Sequence, residues 1–196
     1  MDRRVKELQS IMPIMNIPSV LKHGILSYER ASKLKHADVS MHEVQERRDR
    51  VQVPGGLRLH RYANVYFHAR NPMMYKRRDR LNSLCVLQVS LEILEFENTV
   101  ITDQNGSSDY VRFLTPADHE LLDFDKIFAQ DWRHPDDPIE YWRHKSIKCA
   151  EVLVPNCIEP RYIVGAYVAN SDAKILLEEQ GFIMSVTINP DLFFAA

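Results

Sequence analysis

The chain has 196 residues, which is enough for one domain with a sizeable core and too few for two. Hydrophobic residues make up 45% and charged residues 27%, as in soluble globular proteins, and no apolar run is long enough to cross a membrane. The first residues lack an apolar secretory signal, and the three cysteines lack CxxC spacing, which favours reduced, unreactive thiols. We therefore expect a cytoplasmic protein in which residues 1–196 form a single domain.

The formal net charge of −2 hides an uneven distribution of charge along the chain. Residues 47–80 contain ten Lys or Arg against two acids, a balance of +8, whereas residues 81–140 contain thirteen acids against three bases, a balance of −10. The basic block can attract the phosphates of a nucleotide or of a nucleic acid. It can equally be a solvated face that pairs with the acidic block, and charge alone leaves both interpretations open.

The predicted elements of the first half are short and are separated by charged loops. Asn16 can cap a helix that Gly24 ends, while residues 27–53 carry dense charge without a clean apolar period. In chain order we predict a strand at 11–14, a helix at 16–24, a loop at 27–53 that contains a short helix at 41–50, a turn at 54–56, and strands at 62–68 and 84–89.

The second half alternates short apolar runs with turns, and its segment 114–148 is polar, acidic and rich in proline. In chain order we predict strands at 100–102 and 110–113 around a turn at 103–106, a helix at 138–146, strands at 150–155 and 162–168, a helix at 171–180, and a last strand at 184–188. These elements add up to a compact α+β domain with many short strands and no internal repeat.

Common catalytic motifs are missing from the sequence. It contains no P-loop, dinucleotide-binding, serine-hydrolase or zinc-protease motif, and its eight histidines are scattered, so we expect no metal site. His42 and His60 are predicted to lie at the surface.

Two features remain as candidates for chemistry. Glu151 begins an apolar strand, where a carboxylate is costly unless it is paired or used. A surface-facing position at the strand start is the simpler interpretation, and the residues alone favour it. The adjacent Arg47 and Arg48 could grip a pyrophosphate or could be solvated charges.

Five segments in register resemble conserved blocks of the DarT family of DNA ADP-ribosyltransferase toxins. They are residues 16–27 (NIPSVLKHGILS), 42–48 (HEVQERR), 59–75 (from LHRYANVYF to ARNPMMY), 102–113 (TDQN to YVRF) and 136–154 (DDP to CAEVLV). The resemblance implies an ADP-ribosyltransferase fold, with a split, twisted β core, flanking short helices and an NAD-binding cleft. It also implies transfer of ADP-ribose from NAD⁺ to a base in single-stranded DNA, by a toxin that a macrodomain antitoxin controls.

The resemblance assigns catalytic roles to two residues. Glu151 would contact the nicotinamide ribose and stabilise the oxocarbenium ion that forms as nicotinamide leaves. Arg48 would hold NAD⁺ and assist catalysis, with Arg47 as the alternative because the register is uncertain by one residue. The residues expected to bind NAD⁺ are Ser10, Ile11, Met12, Ser19, Ser27, Arg47 and Arg48.

One departure from the family concerns the first strand, where members usually carry two histidines. Ser10 and Pro13 stand at those positions here. A serine hydroxyl can still donate a hydrogen bond to a ribose, and the backbone of Met12 can bind an amide. A degenerate domain that only binds nucleic acid therefore stays open as an alternative, as does an ADP-ribosyltransferase that acts on RNA or protein.

The stretch 131–148, just before Glu151, would present the acceptor base. It mixes aromatic and cationic side chains, a composition suited to stacking bases and holding phosphates. The alternative for its two tryptophans is that they pack the loop onto the core. The residues expected to contact nucleic acid are Arg70, Met74, Tyr75, Trp132, Arg133, Arg143 and His144. The sequence does not select the base.

Overall fold

The computed structural model of the chain describes residues 1–37 and 42–195. The strands are β1 (Leu8–Pro13), β2 (Ile25–Leu26), β3 (Tyr62–Tyr66), β4 (Leu84–Val89), β5 (Val100–Thr102), β6 (Phe113–Leu114), β7 (Glu151–Pro155), β8 (Cys157–Ile158), β9 (Ile163–Val168) and β10 (Ser185–Ile188). The α-helices are α1 (Ile17–His23), α2 (Tyr28–Ala31), α3 (His42–Asp49), α4 (Pro72–Tyr75), α5 (Phe124–Phe128), α6 (Pro138–Ile147) and α7 (Ser171–Glu179).

Eight of these strands form one mixed sheet, in the order β10-β9-β4-β1-β3-β7-β5-β6. All neighbours are antiparallel except β9 and β10, which run parallel. The strands β2 and β8 form a separate two-stranded sheet. The central strands β1 and β4 are buried along almost their whole length. They therefore show little of the alternation between apolar and polar residues that is typical of strands with one exposed face.

Three strand ends meet on one side of the sheet and create the place for a site. β7 begins at Glu151, and its antiparallel neighbours β3 and β5 end beside it, at Tyr66 and Thr102. The register pairs Tyr66 with Glu151 directly, so their side chains project from the same face.

A buried lysine ties the segment before β7 to the end of α5. Lys148 is fully buried, and its ammonium group donates to the carbonyl oxygens of Ile127 at 2.8 Å and Ala129 at 2.7 Å. Burial lowers the pKa of Lys148 to about 7. These bonds satisfy carbonyls that the end of a helix leaves without partners, and they fix the chain three residues ahead of Glu151.

Several predicted elements agree with the structure. The predicted helix at 16–24 is α1, which Gly24 ends with a φ of 81°. The predicted helix at 41–50 corresponds to α3, although Met41 and the side chain of His42 lie outside the described residues. The strands predicted at 84–89 and 162–168 are found as β4 and β9 within one residue.

Other predictions were wrong. The first strand starts at Leu8 instead of residue 11, and Ile14 already belongs to a 3₁₀ turn. The strand predicted at 110–113 is reduced to β6, since Tyr110 lies in a turn and is 86% exposed. His60 is not a surface residue: its imidazole packs on Tyr28, bonds to Gln45 and is only 13% exposed.

No helix within the described ranges combines the length and the apolar character needed to cross a membrane.

Two glycines with a positive φ allow a stability prediction. Gly24 and Gly181 have φ of 81° and 86°, but a Cβ at Gly24 would lie 2.1 Å from the carbonyl oxygen of Ile158, whereas nothing lies within 4 Å at Gly181. We expect Gly181→Ala to lower the free energy of unfolding by about 1 kcal/mol, the cost of the left-handed backbone alone. Gly24→Ala should lower it by at least about 2 kcal/mol more, because β2 must then move away from β8.

Urea denaturation of both variants and the unsubstituted chain measures this difference. Equal losses in the two variants would mean that the approach of Gly24 to Ile158 does not matter for stability.

Candidate active site

The buried carboxylate of Glu151 is the centre of the site. Glu151 is 1% exposed. Without the family resemblance, the sequence favours a solvent-facing position for it at the start of the strand, and that expectation is wrong. Its Oε1 accepts hydrogen bonds from the Arg48 Nη1 at 2.9 Å and from the backbone N–H of Gly106 at 2.7 Å. Its Oε2 is buried and finds no hydrogen-bond partner among the described residues. One oxygen is therefore anchored, while the other keeps its full capacity to accept or to stabilise positive charge.

Arg48 brings a permanent positive charge to this carboxylate. It lies in the last turn of α3 and is 7% exposed. Burial opposes its charged form, but the attraction of Glu151 and the hydrogen bond to it outweigh burial and raise the pKa of the Arg48 guanidinium. Separating a buried ion pair of this kind is costly, because the remaining charge is left without a partner. The pair therefore holds α3 against the start of β7.

The neighbouring Arg47 is placed differently. Its side chain is exposed, and its Nε donates to the carbonyl oxygen of Glu43 at a long distance of 3.4 Å. Both arginines line the cleft described below, but Arg48 alone of the two contacts Glu151.

Tyr66 and Gly106 also belong to the site, although neither is among the residues predicted to form it. Tyr66 lies opposite Glu151 across β3 and β7, and burial together with the charge of Glu151 raises the pKa of its phenol, which stays protonated. Gly106 approaches so closely that a Cβ there would lie 2.6 Å from the Oε1 of Glu151. Strand pairing defines both neighbours, and a single sequence does not reveal which strands pair.

A cleft of about 1630 Å³ lies next to the Arg48–Glu151 pair. Ordinary ligand pockets measure about 300–1,000 Å³, so this cleft has room for a dinucleotide and part of a second substrate. Of the residues expected to bind NAD⁺, those that line the cleft are Ser10, Ile11, Met12, Ser19, Arg47 and Arg48.

Ser27 does not lie on the cleft wall. It is 1% exposed, and its hydroxyl has no hydrogen-bond partner among the described residues. The contact of Ser27 with NAD⁺ therefore stays a prediction. Glu151 itself lies directly behind the wall, because its partner Arg48 lines the cleft and it does not.

The residues expected to contact nucleic acid divide into exposed and buried groups. Arg143 is exposed and lines the cleft, and Arg133 and Tyr75 are exposed elsewhere, with Arg133 paired to Asp131. Three side chains of this set are instead buried: Met74 is 0% exposed, His144 is 6% exposed and Trp132 is 8% exposed. In this structure these three side chains offer no surface to a base or a phosphate, and their contacts with nucleic acid stay predictions.

Each buried member of this set has a packing role. Met74 lies in a small apolar cluster, and Trp132 packs edge-on against the rings of Tyr75 and Phe194. Arg70 is also largely committed within the protein: its Nε donates to Gln130 at 2.7 Å and its guanidinium stacks on Phe194. The interpretation of Trp132 as a residue that packs the loop onto the core is thus the one that agrees with the structure.

Helix α6 presents an exposed aromatic side chain at the cleft. Trp142 is 63% exposed and lines the cleft beside Arg143, and the Nζ of Lys145 lies 4.2 Å from the centre of its ring. An exposed indole flanked by cations can stack on a base while the cations face phosphates.

The cysteines are free, and one of them lies next to the site. Burial, together with the negative charge of Glu151, raises the pKa of the Cys149 thiol to about 12, so the thiol stays protonated at neutral pH. Within residues 1–37 and 42–195, no cluster of three or more His, Cys, Asp or Glu could hold a metal ion.

Comparison with known proteins places this arrangement in a family. A relative from Thermosipho africanus, described as a DNA ADP-ribosyl transferase-DNA ADP-ribosyl glycohydrolase fusion protein, is 28% identical over 97% of this chain and 50% of its own length. A DNA ADP-ribosyl transferase from Thermus sp. is 29% identical over 64% of this chain and 66% of its own. The chain thus spans about half to two thirds of the length of these curated relatives.

Solved structures share the fold. Thermosipho africanus DarTG in complex with ADP-ribose superposes with a TM-score of 0.82 at 27% identity, covering 96% of this chain and 51% of that one. Thermus sp. DarT in complex with ADP-ribosylated ssDNA gives 0.81 at 24% identity, covering 96% of each chain. The family model described as "ssDNA thymidine ADP-ribosyltransferase, DarT" matches residues 10–194, and the chain therefore belongs to the DarT family and has its ADP-ribosyltransferase fold.

Proposed function

We propose that the chain is an enzyme that transfers ADP-ribose from NAD⁺ to a base in single-stranded DNA. The observation that carries this proposal is the Glu151 carboxylate, with one oxygen anchored by two donors and the other free, beside a cleft large enough for a dinucleotide. Membership of the DarT family supports the same reaction.

Glu151 supplies a fixed negative charge. As nicotinamide leaves, positive charge develops on the ribose, and an anion that is already in place stabilises it without reorganising. Carboxylates have the same role beside the oxocarbenium-like centres of glycoside hydrolysis. Because the Oε2 is buried, side chains around it must move before the ribose of NAD⁺ can reach it.

Arg48 has two tasks in this proposal. It orients Glu151 through Oε1, and its remaining N–H groups, at the cleft wall, are available to a phosphate or to the negative charge that develops on the acceptor base. It does not act as the base that removes a proton, because a guanidinium keeps its charge in proteins.

The acceptor enters along α6. Trp142 provides an exposed ring for stacking, and Arg143 provides a charge for the phosphate backbone. We propose thymidine as the modified base, since the family model that matches the chain is described by that base. Both curated relatives are described as acting on DNA, and one solved relative holds ADP-ribosylated ssDNA.

We also propose that residues 1–196 form one catalytic domain, which acts in the cytoplasm as a toxin restrained by a macrodomain partner. Free, buried cysteines are in keeping with a reducing compartment. The Thermosipho relative, in which a DNA ADP-ribosyl glycohydrolase is fused to the transferase, supports a partner that removes the modification.

The first prediction concerns Glu151→Gln, which keeps the shape of the side chain and removes its charge. We expect transfer from labelled NAD⁺ to single-stranded DNA to fall by roughly 10²–10³-fold, the usual loss when one stabilising group for a transition-state charge is removed. Thermal unfolding in parallel checks that the variant is folded at the assay temperature. A folded variant with unchanged turnover would exclude Glu151 as the catalytic carboxylate.

The second prediction separates the two arginines. Arg48→Lys keeps the charge but loses the planar guanidinium, and we expect kcat/KM to fall by about tenfold or more. Arg47→Lys is the comparison and should lower kcat/KM less than Arg48→Lys, because Arg47 is exposed and the bond to Glu151 comes from Arg48. The reverse order of effects would transfer the role to Arg47.

The third prediction concerns the acceptor. Labelled NAD⁺ is offered with single-stranded DNA of each base composition, with RNA of matching sequences, and with a protein mixture. We expect label on thymidine-containing DNA with the unsubstituted chain, and roughly 10²–10³-fold less with Glu151→Gln. Label on RNA or protein alone would contradict the proposed acceptor. No label on any acceptor, with intact binding of DNA, would favour the degenerate domain, in which Ser10 and Pro13 have replaced the family's histidines.

A further inference from the structure

We infer that Thr102 is a positioning residue that holds the backbone of Glu151, an inference that rests on the proposed function. Thr102 ends β5 and is fully buried. Its hydroxyl makes two hydrogen bonds, and both go to the same residue. It accepts from the backbone N–H of Glu151 at 3.1 Å and donates to the backbone carbonyl oxygen of Glu151 at 3.3 Å.

These two hydrogen bonds lie where the backbone pairing between β5 and β7 ends. The register between β5 and β7 pairs Val100 with Leu153 and Ile101 with Val152, and it does not continue to Thr102 and Glu151. The hydroxyl bridges the gap, so both backbone groups of Glu151 remain satisfied although the strands separate there. Separation of the strands at this point frees the chain after Thr102 to turn back toward the carboxylate.

The loop that follows Thr102 completes the positioning. It brings the N–H of Gly106 to within 2.7 Å of the Glu151 Oε1, and it is tied to α6 by the N–H of Asn105, which donates to the carbonyl oxygen of Ser146 at 3.0 Å. One short segment therefore fixes Glu151 at its backbone through Thr102 and at its side chain through Gly106. Arg48 fixes the same Oε1 from α3.

A positioning residue changes the reaction rate by changing the placement of the catalytic group. A group misplaced by about 1 Å can lose roughly a hundredfold in rate, even when substrate binding is unchanged. Thr102 is fully buried and does not line the cleft. Its loss should therefore lower kcat and leave the KM for NAD⁺ nearly unchanged.

The test is Thr102→Val, which replaces the hydroxyl by a methyl group of similar size. Thr99→Val is the matched control, since Thr99 is also buried, precedes the same strand, and donates its hydroxyl to the carbonyl oxygen of Ile93, away from Glu151. Thr102→Ser keeps the hydroxyl. All variants are assayed for transfer from NAD⁺ to single-stranded DNA at a temperature where melting curves show them folded.

We expect Thr102→Val to lower kcat by about tenfold or more while the KM for NAD⁺ changes by less than about threefold. Thr102→Ser should return to within about threefold of the unsubstituted chain, and Thr99→Val should lose stability but not kcat. A Thr102→Val variant as active as Thr99→Val would overturn the inference. So would a serine variant as slow as the valine variant.

A second measurement keeps this inference separate from the proposed function. If the unsubstituted chain transfers no label, the proposed function fails, and the position of Glu151 is then followed by NMR of its ¹³C-labelled carboxyl group, assigned by its absence in Glu151→Gln. We expect this resonance to move in Thr102→Val and to stay in place in Thr99→Val and Thr102→Ser. An unmoved resonance in Thr102→Val would overturn the positioning role whatever the activity.

Discussion

The burial of one carboxylate at a strand end is the constraint on which the site depends. An ionised group taken out of water is strongly unfavourable unless charge and hydrogen bonds replace the lost hydration. For Glu151 the replacements come from three parts of the chain: Arg48 on α3, Gly106 on the loop after β5, and Thr102 at the end of β5. The ion pair joins the charged helix α3 to the start of β7.

The sheet topology makes these contacts possible. Because β3 and β5 run antiparallel to β7, their last residues lie beside its first one. Helix α3 adds Arg48 at the same end of the sheet, 103 positions before Glu151 in the sequence. The adjacent cleft lies at the same end of the sheet, and its wall includes Cys149, two residues before β7, and Trp142 and Arg143 of α6.

The sequence predicted the parts of this structure that local patterns control. Helix α1 has a capping residue and a terminal glycine, and β4 and β9 are apolar runs of strand length, so all three were placed well. The two-residue strands β2 and β8 are too short for any periodic signal. The exposure of individual side chains was predicted least well. Glu151, Trp132 and Met74 are buried by tertiary contacts that composition does not encode. Arg48 and Glu151 were found because the family resemblance carries long-range information.

The unsatisfied oxygen of Glu151 also bears on whether the centre is catalytic or a remnant. Replacing a buried ion pair by apolar groups of similar volume is often neutral or stabilising, so stability does not require the pair. A buried polar atom without a partner adds a further cost, and such atoms are rare in folded proteins. Within residues 1–37 and 42–195, the Oε2 of Glu151 is such an atom. A domain that served only to bind nucleic acid could replace both members of the pair by apolar groups without loss of stability, whereas a transferase needs the carboxylate for the charge that develops on the ribose. The changes at Ser10 and Pro13 affect the cleft wall and leave this ionic centre intact.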